Sequence, residues 1–135
     1  MNAPTLNRSE SANGSKRVIY VVDDESMLLE LVAVILEPLG CCIKTFGQPE
    51  AALQAFASAQ PQPVLIITDF AMGTMNGLEL IAECRRIQPH QKILLISGSV
   101  GPDVYQSAAS QPDYYLGKPY QAKQLVELVK AILGD

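Results

Sequence analysis

The chain has 135 residues, 48% of them hydrophobic, and a formal charge of −4, which suits one domain with a real core. No cluster of basic residues exceeds the pair Arg85-Arg86, which argues against a surface built to neutralise a phosphate backbone and so against direct nucleic-acid binding. The longest aliphatic run, LVAVIL (31–36), falls far short of the ~20 residues that span a bilayer, and the polar opening MNAPTLNRSESANGSK lacks the apolar stretch of a secretory signal.

Residues 1–16 read as a disordered polar tail, and 17–134 as one folded domain. VIYVV (18–22) is a short strand that runs into Asp23, Asp24 and Glu25. Residues 26–39 are richly apolar and close at Gly40, a helix pattern with Pro38 in its last turn. CCIKTF (41–46) is a second strand. PEAALQAFASA (49–59) is an alanine-rich helix with proline in its first turn, a favoured place. VLIIT (64–68) is a third strand and meets Asp69. After the loop DFAMGTMNG, a helix over 78–88 is stopped by Pro89. KILLI (92–96) is a fourth strand, followed by Ser97 and Gly98. GPDVYQSAAS (101–110) reads as a weak helix with a poor apolar stripe. YYL (114–116) is a fifth strand, followed by Gly117, Lys118 and Pro119. In the last helix, 121–133, Leu125, Leu128, Val129, Ile132 and Leu133 recur at helical spacing and make one apolar face.

Strands alternating with helices imply βαβ units, and near-continuous Val/Ile/Leu strands fit a parallel sheet covered on both faces. The fold class is therefore α/β, a doubly wound five-stranded parallel sheet with five helices. In such sheets ligands bind beyond the carboxyl ends of the strands. Four of the five strands deliver polar groups there. The second, ending in Phe46-Gly47, does not, as expected of an edge strand. The order 2-1-3-4-5 makes the third strand central and places Asp69 among the other polar groups.

Three carboxylates at one edge repel one another unless a hard divalent cation sits among them, and Mg²⁺ takes such oxygen ligands. Lys118 adds a compact charge suited to phosphate, and Ser97 adds a hydroxyl donor. Together they suit phosphoryl transfer, which is mostly positioning and charge neutralisation, with a central aspartate able to act as nucleophile. Alone, Asp69 reads as a turn residue and Asp23-Asp24 as a solvated helix start. Those readings do not account for the other strand ends.

VVDDE, DFAMGTMNG, ISG and YYLGKPY, in this order and each at a strand end, resemble the receiver domain of two-component response regulators. The resemblance covers about 17–134 and implies the flavodoxin-like order 2-1-3-4-5. It implies Asp69 as phosphoacceptor, Asp24 as direct Mg²⁺ ligand with Asp69 and the backbone carbonyl of Ala71, and Asp23 as a ligand through water. Lys118 pairs with the phosphate, and Ser97 with Tyr115 forms the switch. A histidine kinase or histidine phosphotransfer protein would be the donor, and a downstream protein the target, met through the face of the weak helix, the fifth strand and the last helix. Such a chain is not an enzyme in the ordinary sense, although it takes part in its own phosphotransfer and autodephosphorylation. It is expected to be cytoplasmic and a monomer or weak dimer. No output domain follows Asp135 in this sequence, so the expectation is a signal passed to another protein, a phosphate sink, or a piece of a larger regulator or hybrid kinase.

The sequence departs from the family pattern in four places. Gly73 stands where proline is usual, Ala71 and Ser99 hold positions that tune phosphoryl lifetime, and SQPD precedes the fifth strand in place of Gly-Ala. These leave open a pseudo-receiver, a phosphorylation-independent binding module. A doubly wound nucleotide or flavin enzyme is the third class, but DDESML stands where a glycine-rich fingerprint would follow the first strand. Cys41, Cys42 and Cys84 have no CxxC spacing and read as reduced, partly buried thiols. His90, beside Pro89, is read as a solvated loop residue with no role.

Overall fold

The structure is a computed structural model and describes residues 16–98, 101–106 and 108–135. The expected tail therefore lies almost wholly outside the described residues, as does Ser99. The elements are β1 (Val18–Val22), α1 (Ser26–Leu36), β2 (Cys42–Phe46), α2 (Pro49–Ala57), β3 (Leu65–Asp69), α3 (Gly77–Ile87), β4 (Ile93–Ser97), α4 (Pro102–Tyr105), β5 (Tyr114–Gly117) and α5 (Ala122–Leu133). A short 3₁₀ turn, Glu37–Leu39, follows α1, because Pro38 can offer no N–H to continue the α-helical ladder. The sheet order is β2-β1-β3-β4-β5, and every pairing is parallel. This is the flavodoxin-like arrangement.

Alternation along the strands splits the core in two. On one face Ile19, Val21, Leu65, Ile67, Leu94 and Ile96 pack with Leu29, Val32 and Leu36 of α1 and Leu125, Val129 and Ile132 of α5. On the other, Tyr20, Val22, Ile66 and Ile93 pack with Ala52 and Phe56 of α2 and Leu80, Ile81 and Cys84 of α3. Both faces of the three inner strands are covered, which explains why β3 and β4 are apolar without alternation. Strand β2 has no buried residue, as an edge strand should.

One element is much shorter than its sequence pattern suggested. Among the described residues of 101–110, only Pro102–Tyr105 is helical. A helix this short cannot recover the cost of its own nucleation, and Val104 remains exposed. The chain beyond it is tied down by Arg85 of α3. Its guanidinium donates to Ser110 Oγ at 3.2 Å, to the Gln111 carbonyl at 2.7 Å and to Asp113 at 2.7 Å. The same Asp113 carboxylate oxygen accepts the N–H of Ile93 at 2.8 Å. The SQPD segment thus supplies the acceptors for an arginine clamp that sets the start of β5.

Candidate functional site

Asp69 and Ser97 are the last residues of β3 and β4, one position later than the apolar runs alone suggested. Asp23 directly follows β1, and its N–H extends the ladder to the Phe46 carbonyl at 3.1 Å. Lys118 follows β5, with its N–H on the Ser97 carbonyl at 3.0 Å. Backbone pairing therefore carries these four side chains to one edge of the sheet. One hollow there is lined by Asp24, Glu25, Asp69, Ala71, Ser97, Gly98 and Lys118.

Asp23, Asp24 and Asp69 each present a carboxylate oxygen, all within 4.8 Å of one another. Such a set of hard oxygen donors fits Mg²⁺, which is commonly held by few carboxylates with the remaining places left to water and phosphate. Lys118 Nζ donates to Asp69 Oδ1 at 2.9 Å. Burial disfavours the Lys118 ammonium, but the bond to Asp69 and the attraction of Asp69, Asp23 and Glu25 outweigh it and hold its pKa above the ordinary lysine value. Burial also raises the pKa of the Asp23 carboxyl. The backbone N–H of Glu25 works against that rise, and the neighbouring charge of Asp69 adds to it. The cluster thus holds an excess of negative charge that one lysine does not cancel.

The loop after Asp69 is firmly held. Gly77 opens α3, and a Cβ there would lie 2.5 Å from the Asp69 carbonyl oxygen and 2.9 Å from Leu95, so only glycine permits this approach. Asn76 caps α3: its side chain accepts the Glu79 N–H and its N–H donates to Glu79, both at 2.8 Å. Thr74 donates to Glu50 of α2, and that bond holds the Glu50 carboxyl below its usual value. Met72 is buried beside Thr68. Gly73 stands at φ +71°, a conformation that proline, fixed near −65°, cannot take. The departure from the family pattern at Gly73 thus matches the loop's own geometry.

Tyr115 reaches along the sheet edge, and its hydroxyl donates to the Ser97 carbonyl at 3.0 Å. Ser97 itself is buried. His90 is exposed and lies at the opposite end of the sheet, lining a different hollow with Arg17 and Lys92. Cys84 is buried and its thiol pushed up to about 12, chiefly by burial. Among the supporting residues, the N-x-x-E signature of Asn76 and Glu79 is legible as a capping box. Gly77, Arg85 and Thr74 act through long-range contacts that no local pattern announces.

Sequence and structure together define a receiver domain. The chain belongs to the response regulator receiver domain family, whose sequence model matches residues 19–130. It is 32% identical over 122 residues to the DNA-binding transcriptional regulator NtrC of Azospirillum brasilense, covering 90% of this chain and 25% of that protein. It is 28% identical over 123 residues to the probable transcriptional regulatory protein TcrX of Mycobacterium tuberculosis, covering 90% of this chain and 52% of that one. The chain thus spans about half or less of the length of these relatives. Among solved structures, a CheY-like receiver domain from Methanospirillum hungatei superposes with a TM-score of 0.80 at 24% identity, covering 89% of this chain and 95% of that one. A BeF₃-activated DrrB receiver domain gives 0.76, also at 24%, covering 89% of this chain and 99% of that one. Among the described residues no helix is long and apolar enough to cross a membrane.

Proposed function

We propose that this domain is a phosphorylation-dependent switch in which Asp69 takes a phosphoryl group from a partner's phosphohistidine. The observation that carries this reading is the convergence of three carboxylates within 4.8 Å and a lysine 2.9 Å from the central one. Asp24, Asp69 and the Ala71 carbonyl would hold Mg²⁺ directly, and Asp23 would do so through water. When bound, that ion neutralises the charge that would otherwise repel an incoming phosphoryl group. An Asp69 carboxylate oxygen bonds to phosphorus as the phosphorus–nitrogen bond of the donor breaks, which leaves the imidazole with the donor.

The new group carries roughly −1.5 to −2 charge. Lys118, already poised on Asp69, then pairs with the phosphoryl oxygens, and the Ser97 hydroxyl donates to them. Movement of Ser97 is felt by Tyr115 through the carbonyl they share, and the change reaches the face formed by α4, β5 and α5. A downstream protein reads that face.

The donor, a histidine kinase or histidine phosphotransfer protein, must come close to Asp69. Beside it, α1 presents Met27, Leu31 and Val34 at 80%, 50% and 66% exposure, spaced to form one stripe. Exposed apolar side chains grouped beside a reactive carboxylate are what a protein partner would cover. Leu31 also lines an apolar cavity with Leu28, Val32 and Ile35 that opens next to Asp69 and Lys118.

The test is a phosphotransfer profile of the full chain against purified histidine kinases. Transfer within seconds from one kinase, lost in Asp69→Asn and slowed by Leu31→Asp, is the expected result. Binding of kinases without transfer from any of them would favour the pseudo-receiver reading.

A further inference from the structure

Tyr115 is not held by Ser97 alone. The ring of Tyr105, at the end of α4, stacks on the Tyr115 ring with centroids 5.2 Å apart and planes 23° from parallel. The Tyr115 hydroxyl donates at 3.0 Å to the Ser97 carbonyl, which also accepts the Lys118 N–H at 3.0 Å. Two residues that face Asp69, Ser97 and Lys118, therefore meet at one carbonyl, and Tyr115 bridges that carbonyl to Tyr105. Tyr105 is the last residue of α4. Its helix has four residues, and Val104 beside it is 49% exposed.

We propose that Tyr105 is a positioning residue for the phosphoryl site: by stacking on Tyr115 it holds the Tyr115 hydroxyl on the Ser97 carbonyl and so fixes Ser97 beside Asp69. The inference rests on the reading of Asp69 as phosphoacceptor and adds the residue through which α4 senses that site. An offset aromatic pair adds a modest stabilisation beyond the area it buries, enough to set the orientation of a two-position side chain without locking it. Tyr105 touches none of the reacting groups, so its effect must travel through Tyr115.

The test uses the full chain with tyrosine rings labelled for NMR, titrated with beryllofluoride and Mg²⁺ as the phosphoryl mimic. Tyr115→Phe assigns the Tyr115 signal, and circular dichroism checks the fold of each variant. Tyr105→Leu should weaken beryllofluoride binding about two- to tenfold, the equilibrium equivalent of one aromatic pair, and should shift the Tyr115 ring signal in the unliganded protein. Tyr105→Phe, which keeps the stack, should restore both. In a Tyr115→Phe background, which lacks the hydroxyl, Tyr105→Leu should cause no further loss. Wild-type affinity in Tyr105→Leu, or an undiminished loss in the Tyr115→Phe background, overturns the inference and leaves the switch reading standing. A wild-type chain that does not bind beryllofluoride with Mg²⁺ overturns both.

Discussion

The loops that follow β3 and β4 leave neighbouring strands at the same edge of the sheet, yet they are anchored very differently. Residues 70–76 are tied at both ends and in the middle: by the Gly77 N–H on the Phe70 carbonyl at 2.8 Å, by the Asn76–Glu79 capping box, and by Thr74 on Glu50. The described residues after β4 make one short helix, its N–H groups of Val104 and Tyr105 sharing the Gly101 carbonyl, with the Tyr105 ring laid on Tyr115. Further along, Arg85 holds Ser110, Gln111 and Asp113. The first loop carries Ala71, whose carbonyl is one of the ligands proposed for Mg²⁺. The second carries Tyr105 against Tyr115, the contact through which the proposed switch would reach α4.

The largest effect is expected from breaking the anchored loop at its base. Gly77→Ala drives a methyl into the Asp69 carbonyl and Leu95 and should cost about 3 kcal/mol, the upper end of the usual range for overpacking, measured by urea denaturation. Arg85→Ala should cost about 2 kcal/mol, since it removes charge-assisted hydrogen bonds. It should also free the start of β5, so that hydrogen exchange quickens at residues 110–114 and not at 70–76. Gly73→Pro cannot adopt φ +71° and should destabilise by ~1 kcal/mol, with a fall in the Mg²⁺-dependent rise in melting temperature. Tight retention of Mg²⁺ stabilisation in that variant would mean that the loop tolerates a different path.

The smallest effect is a pH dependence on the sheet face away from α1. The Cys84 thiol ionises near 9.0 in a solvated chain and at about 12 here. Between those values the unfolded state has lost a proton that the folded state keeps, so stability falls as pH rises above 9. Cys84→Ala should flatten that alkaline slope in thermal melts. A slope equal to that of the wild type would show that Cys84 contributes nothing to it.

Much of the strand layout and the chemical groups could be read from the sequence because both are local. An apolar run ends, and the next side chain stands at the sheet edge, as with Asp69 after VLIIT and Lys118 after YYLG. The family resemblance supported the order of the strands and added the pairing of roles. The length of α4 was not legible. The segment 101–110 read as one weak helix, whereas Ser110, Gln111 and Asp113 find a partner in Arg85, 25 residues away from Ser110 in sequence. Nor was Tyr105 itself distinctive, because its stack depends on where β5 places Tyr115. Gly73, set where the family usually has proline, sits in a left-handed backbone conformation that proline cannot take.

The most direct test of the central claim is the intact mass of the chain after incubation with a small phosphodonor, with and without Mg²⁺. One added phosphoryl group is expected in the wild type, dependent on Mg²⁺, labile to hydroxylamine as an acyl phosphate, and absent in Asp69→Asn. No addition to the wild type across several donors, or an addition that persists in Asp69→Asn, would contradict it.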